Sequence, residues 1–513
     1  MPKSTIKKVK HLLFSVLIGA VIGVILVYIE PGEQPLIGWA GSAFLASLCI
    51  FLLIRVWMGL GKSRKVSFLI LIAFILRLSL GIFLFIGLPI WGYDEAPPNA
   101  GYLYLDAYRR DSDAWQLASS GEPLWTAFRD EFYTDQYGGL LSISAAIYRY
   151  LSPDTHRPLI ILILSAFVAT LGIPFFWKAI KLRWNEKTAD IAAWILVLYP
   201  ESVFLGSSQM REPFLIGLSG IALWAVLHWK KRRKQALLPL VGSLLGIAIF
   251  SSRIAAAVFT LIAVWFWLEN IYPDLRKTQK TLGWILLVLV TIFTLLISLN
   301  WLVGTARWDL YLVESSSGRI QFELENIGEK WRIPFIVGYG LFQPVLPAAI
   351  AYPGIPLMRT IATFRSIGWY MLAPLIIFSL LAVWKIRPKK ERIVLTWFII
   401  FALLWVLLSS IRAGGDQWDN PRYRTILLPW MALLASWAWF HYKIEHSRWL
   451  KRIFAIEAFF VLFFLQWYLS RYYKLWARLP FWQMVAIIVT VNLLMILGGC
   501  VVDLIRLKRG NKS

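Results

Sequence analysis

The chain has 513 residues, of which 58% are apolar and only 16% charged, and it carries 28 Trp and 32 Phe. An average soluble protein carries roughly 25% charged residues, so this composition excludes an ordinary soluble domain, and it equally excludes a disordered chain, a collagen and a coiled coil. The formal charge of +24 would suggest nucleic acid in a soluble protein, and its meaning depends on where the charges sit.

A membrane span needs about 20 mostly apolar residues. Fourteen segments qualify: 11–29, 36–58, 66–91, 157–179, 188–205, 213–229, 236–252, 254–271, 281–303, 368–386, 393–411, 425–442, 453–471 and 481–505. The chain therefore reads as an all-α polytopic membrane protein of about 14 transmembrane helices. The first run follows Lys3, Lys7, Lys8 and Lys10, is long, and has no small-x-small cleavage site at Glu30–Pro35, so a retained signal anchor is expected. Basic bands lie at 3–10, 62–65, 178–187, 230–234, 276–280, 385–392, 443–452 and 506–512. With fourteen spans all of them fall on one side, and of 23 Lys only Lys330 and Lys474 lie elsewhere. By the positive-inside rule that side is cytoplasmic, as are both termini, in a cell membrane. The charge is thus a topological label, and no nucleic-acid partner is expected; the lipid bilayer is.

Two long segments, 92–156 and 304–367, are left on the outer face. The first has ten carboxylates, four Arg and no Lys. Loops this long are usually functional or disordered, and the aromatic-rich stretches 99–108 and 125–137 do not read as disorder. Within it, 137–151 places Leu140, Ile143, Ile147 and Leu151 on one helical face, which predicts a helix lying at the outer interface. In the second, 334–351 is apolar but broken by Pro334, Pro344 and Pro347. It reads as a re-entrant or interfacial piece; a true span there would invert everything after it, against the basic bands at 385–392 and 506–512.

The membrane interior offers little chemistry. Arg77 and Glu457 are the mid-span charges, thin for an ion-coupled pathway. Cys49 and Cys500 lie in apolar runs, and the five His are scattered with no helical i, i+4 pair, so neither a disulfide framework nor a His zinc site is expected.

Polar density sits on the predicted outer side, in three places. Residues 104–121 carry Asp106, Asp111 and Asp113 with Tyr104, Tyr108 and Trp115 among them. On a helix Asp106 and Asp113 align and Asp111 points elsewhere. A carboxylate here could accept a proton from an acceptor hydroxyl, or the cluster is a solvated acidic loop pairing with Arg109 and Arg110. Residues 199–213 carry Glu201 and Arg211-Glu212 before Pro213, a helix start. Either Glu212 complements a helix dipole and Glu201 is a surface charge, or all three face an external cavity with Asp106. Residues 412–424 carry Arg412, Arg422, Tyr423 and Arg424, a cationic group suited to bidentate phosphate binding, to head-group anchoring or to a salt bridge within the loop.

Taken in order, these motifs resemble the GT-C glycosyltransferases, the polytopic class that includes the protein O-mannosyltransferases, the lipid A aminoarabinose transferases and the rhizobial lipopolysaccharide glycosyltransferases. In that class an Arg-bearing span, similar to Ile75-Leu76-Arg77-Leu78, leads into a long external loop. An Asp, an Ala-rich helix and a Gly follow, similar to Asp106-Ala107-Tyr108 with Ala114, Ala118 and Gly121. A Pro with a later Arg-Glu pair is similar to Pro200 and Arg211-Glu212. Arg422-Tyr423-Arg424 with Pro429 is similar to the class's Arg-Tyr-Arg lead-in to a late span. The resemblance covers 66–442, leaving two N-terminal helices in 1–65 and C-terminal helices in 443–513. The acidic loop lacks an Asp-Glu pair at Asp106, so Asp106, Asp111 and Asp113 remain alternative bases, with Asp135 and Glu201 as further acidic candidates.

What the resemblance implies is an inverting glycosyltransferase that takes a sugar from a polyprenyl-phosphate donor to a lipid, glycan or protein acceptor on the extracytoplasmic face, in cell-envelope or lipopolysaccharide synthesis. Asp106 or Asp111 would be the base, Arg211, Arg412, Arg422, Tyr423 and Arg424 would bind the donor phosphate, and Glu212 would orient Arg211 or bind sugar. Tyr104, Tyr108, Trp115 and Tyr137 would offer stacking faces. Some members of the class use a divalent cation and others do not, so the metal stays open. The alternatives are a lipid-linked oligosaccharide flippase, polymerase or ligase, and a non-enzymatic membrane scaffold or other transporter.

Overall fold

The computed structural model describes residues 3–129, 138–316 and 324–510, and these form helices with no strand among them. The chain divides into two compact units, Met1–Thr281 and Leu282–Ser513.

The first unit holds α1 (Lys3–Ile29), α2 (Pro35–Gly59), α3 (Arg64–Trp91), α4 (Leu105–Ser119), α5 (Gly139–Leu151), α6 (Leu159–Arg183), α7 (Glu186–Leu198), α8 (Pro200–Gly206), α9 (Glu212–His228), α10 (Arg233–Phe250) and α11 (Ser252–Phe266). Proline opens several of them: Pro35 in α2, Pro200 in α8 and Pro213 in α9 sit in the first two positions, where a missing N–H costs nothing. Asn185 caps α7, its side-chain oxygen accepting from the Thr188 amide at 2.8 Å. α7 and α8 are bent by 54° at Tyr199. α9 is apolar on every side, as a fully enclosed helix must be, and packs against α6 through glycines. A Cβ on Gly217 would strike the Val168 carbonyl, and one on Gly220 would lie 2.7 Å from the Gly172 carbonyl oxygen. Small residues at such a seam let two backbones approach closely.

The second unit holds most of α12 (Lys277–Ser316), then α13 (Glu329–Leu341), α14 (Leu346–Ala351), α15 (Pro356–Ala382), α16 (Lys389–Ala413), α17 (Asp419–Thr425), α18 (Leu428–Glu445), α19 (Arg448–Tyr473) and α20 (Phe481–Gly510). The apolar piece at 334–351 is broken as its prolines require, into α13 and α14 on either side of Pro344.

All fourteen predicted segments fall on helices, but the count of fourteen spans is not confirmed. Among the described residues ten helices are long and apolar enough to cross a membrane, or 11 with the bent α7–α8 pair taken as one, which makes this a multi-pass membrane protein. α9 stops at 17 residues. α18 carries His441, Lys443 and Glu445 in its last turns, and several α12 side chains lie outside the described residues. The expectation of a long loop at 304–367 is corrected: α12 runs to Ser316, α13 and α14 follow, and α15 begins at Pro356 rather than at 368. Pro356 opens α15, and in its polar first turns Thr360 and Thr363 satisfy their hydroxyls within the helix by donating back to the Pro356 and Arg359 carbonyls, both at 2.8 Å. In the segment 92–156 the described residues are largely helical too, in α4 and α5 with short 3₁₀ turns; Asp135 and Tyr137 lie outside the described residues.

Candidate functional site

Ion pairs gather the basic helix ends of the first unit. Lys65, at the start of α3, holds Glu186 at 2.9 Å and Asp190 at 2.7 Å in α7. Lys181 reaches Glu186 at 2.6 Å, Arg183 reaches Glu269 at 2.6 Å and Lys230 reaches Asp274 at 2.8 Å. The acidic segment begins beyond the opposite end of α3, after Trp91.

Its centre is α4. The sequence pattern predicts Leu105, Tyr108, Trp115 and Ala118 on one face, but the buried face is Ala107, Arg110, Asp111, Ala114, Leu117 and Ala118, and Leu105 is exposed. The small alanines let α4 close on α5, and the two charged residues on that face find partners inside. Arg110 donates to the Gln209 carbonyl at 3.1 Å. Asp111, 1% exposed, accepts from the Tyr102 hydroxyl at 2.5 Å, from the Tyr148 hydroxyl, and from Nε2 of His156 at 2.8 Å. The His156 ring is stacked on Trp115 (centroids 5.4 Å apart, 18° between planes) and meets Tyr148 edge-on at 5.0 Å. Burial, reinforced by the Asp111 charge, pushes both phenols well above their ordinary range, so they stay protonated donors. Asp106 and Asp113 sit half-buried off this face.

The loop after α5 is pinned to the α1–α2 connection. Arg157, 2% exposed, donates to both Asp154 oxygens at 2.6 and 2.7 Å and to the carbonyls of Glu30 at 3.1 Å and Pro31 at 2.9 Å. The Arg157 hydrogen bonds hold the Asp154 carboxyl down to about 2. Glu30 accepts from the Leu159 amide at 3.1 Å, at the start of α6. Burial pushes its carboxyl up to about 8, with the Leu159 amide opposing the rise and the Asp111 charge adding to it.

At the α8–α9 turn, Glu201 and Glu212 are buried rather than surface charges, 1% and 0% exposed. Tyr104 donates to Glu201 at 3.3 Å and is itself buried, so it offers no open stacking face. Arg211 lies 3.8 Å from Glu212, and the Gln209 amide donates to the Pro158 carbonyl at 2.9 Å. A small cavity lined by Gly81, Tyr102, Leu103, Ala107, Ser207 and Gln209 separates this turn from the α4 start.

The second unit carries the cationic residues. Arg424 is fully buried; its guanidinium lies 3.5 Å from the Trp369 ring centroid and donates to the Gln343 carbonyl at 2.5 Å. Arg422, 3% exposed, stands over the Tyr423 ring at 4.9 Å and 3.4 Å from Asp419. Arg412 is half-buried and approaches the same ring at 5.8 Å. Arg365 joins the group from α15: it is 2% exposed, stacks on Trp418 at 4.4 Å and donates to the Trp418 carbonyl at 3.1 Å. Asp416 organises the turn, its carboxylate accepting from the Trp418 amide at 2.6 Å and the Asp419 amide at 3.0 Å. Guanidiniums packed flat on aromatic rings suit an apolar setting, because they are weakly hydrated and present a planar fork to phosphate or carboxylate.

Sequence reasoning missed His156, Tyr102, Tyr148 and Arg365. His156 reads as isolated along the chain, since its partner lies 45 residues away, and Arg365 falls in a segment whose sequence reads as loop. Among the described residues no group of three or more His, Cys, Asp or Glu could hold a metal ion. No family model matches the chain, and neither does any curated protein or solved structure. The glycosyltransferase resemblance therefore rests on the motifs alone.

Proposed function

We propose that this protein is a membrane glycosyltransferase of the GT-C type, with about fourteen spans and both termini cytoplasmic, that transfers a sugar from a polyprenyl-phosphate donor to an acceptor hydroxyl on the extracytoplasmic face. The observation that carries the reading is the buried, aromatic-packed guanidinium group of Arg365, Arg422 and Arg424. In a chain this apolar, such a group fits the phosphate of a lipid better than a water-soluble anion. The acceptor oxygen attacks the anomeric carbon, the bond from that carbon to the phosphate oxygen breaks, and polyprenyl phosphate leaves. Arg422, Arg424, Arg412 and Arg365 neutralise the charge that develops on the phosphate, a preorganised electrostatic role.

The test uses purified protein in lipid nanodiscs with a labelled polyprenyl-phosphate hexose and a membrane-extract acceptor. Labelled product and release of polyprenyl phosphate are expected, and Arg422→Gln should lower the rate by at least about tenfold, the loss of one charge-assisted contact. Labelled lipid-linked sugar that crosses a vesicle bilayer with no glycosidic bond made would replace this reading with a flippase.

A further inference from the structure

Asp111 is poorly placed to touch a substrate. It is 1% exposed, and its two oxygens already accept from Tyr102, Tyr148 and His156. His156 is placed the opposite way: its side chain is 28% exposed, and one nitrogen faces the carboxylate. An ionised carboxylate can only accept, so Nε2 carries the hydrogen and Nδ1 keeps its lone pair. No hydrogen bond occupies Nδ1 among the described residues. Trp115 covers one ring face and Tyr148 abuts the edge, which fixes the plane of the imidazole. A base oriented by a buried third group, on a side chain that is itself partly exposed, is the arrangement that activates hydroxyls.

We infer that His156 is the group that takes the acceptor proton, and that Asp111 is a positioning residue which holds the imidazole and stabilises its charged form. The inference rests on the glycosyl-transfer reading. As the acceptor O–H oxygen bonds to the anomeric carbon, its proton passes to Nδ1 of His156. The electron pair of the breaking C–O bond leaves with the polyprenyl phosphate, and the imidazolium later returns its proton to water. The titratable and charged groups around the ring are Asp111 from α4, Tyr102 ahead of it and Tyr148 from α5, with the Arg157–Asp154 pair adjoining in sequence and Glu30 coupled by charge to Asp111 and Tyr148.

Two measurements on the full-length protein in nanodiscs test this. In ¹⁵N-histidine spectra, assigned with His156→Gln, the His156 signals should show the Nε2–H tautomer in wild type and lose that preference in Asp111→Asn; an Nδ1–H tautomer in wild type overturns the inference whatever the activity. In transfer assays His156→Gln should lower kcat by about 10²–10⁴-fold with donor KM unchanged and the acidic limb of the pH profile abolished. Added imidazole should restore part of the rate to His156→Ala. Wild type active with His156→Gln equally active, and Asp106→Asn dead, would give the role to Asp106. A wild-type protein with no transfer at all would instead overturn the glycosyl-transfer reading beneath it.

Discussion

Arg77 sits within α3, 1% exposed, and donates to the Ala73 carbonyl at 3.2 Å, the Leu196 and Val197 carbonyls at 3.1 and 3.4 Å, and the Ser202 hydroxyl at 3.2 Å. Leu196 and Val197 close α7, so a mid-span arginine that sequence alone marks as a charge is a cation on a helix C-terminus at the α7–α8 bend. Arg77→Leu should leave those carbonyls unmet at about 1–3 kcal/mol each and lower the detergent-solubilised melting temperature; an unchanged Tm would show the bend holds itself. The loop beside His156 carries its own pH signature. Asp154 is depressed to about 2 from 3.8, so its contribution is present above about pH 4 and is lost as pH falls through 2. Glu30 is raised to about 8 from 4.5, so the folded state keeps a proton the unfolded chain gives up, and stability falls as pH rises from 4.5 to 8. Glu30→Gln should flatten that decline, seen as a Tm that no longer drops between pH 5 and 8. The acidic residues of α4 were legible because composition concentrates them. The imidazole was not, because its partner is set by tertiary packing rather than by spacing.

At the scale of elements, apolar runs located the helices well, since a run of that kind has no other way to satisfy its backbone in lipid. They were less able to say which face turns inward. On α4 the inward face is built on alanines and two charged residues, a pattern that hydrophobic periodicity does not register, and on α15 the polar first turns hid the helix start. The α6–α9 seam gives a sharp test. Gly217→Ala places a methyl against the Val168 carbonyl, whereas a Cβ added at Gly242 in α10 would have nothing within 4 Å. The first substitution should destabilise by about 1–3 kcal/mol through overpacking. The second should be neutral or stabilise by up to about 1 kcal/mol through helix propensity. Equal Tm shifts for the pair would mean that the seam is not closely packed.

For the whole molecule, the division of charge was the most informative property of the sequence. The ion pairs around Lys65, Lys181, Arg183 and Lys230 tie three of the basic bands to acidic residues at helix ends of the first unit. Cysteine accessibility in a Cys500→Ala background tests the proposed orientation. An impermeant maleimide should label Ser119→Cys and Gln417→Cys in intact cells, and Lys187→Cys only after permeabilisation; all three positions are exposed. The reverse pattern would invert the topology. The number of crossings was less legible than the number of helices, because a helix shielded by its neighbours need not meet the length and apolarity that lipid demands.

α9 shows where that leads. Its 17 residues reach about 26 Å at 1.5 Å per residue, short of the roughly 30 Å hydrocarbon layer, yet it is enclosed almost throughout. In α20, by contrast, only 6% of the apolar window is buried. A thicker or thinner bilayer would therefore strain the peripheral helices and leave α9, with the Arg211–Glu212 turn at its start, mechanically insulated. The rate of the proposed transfer should accordingly be insensitive to acyl-chain length over a range in which the thermal stability of the protein is not.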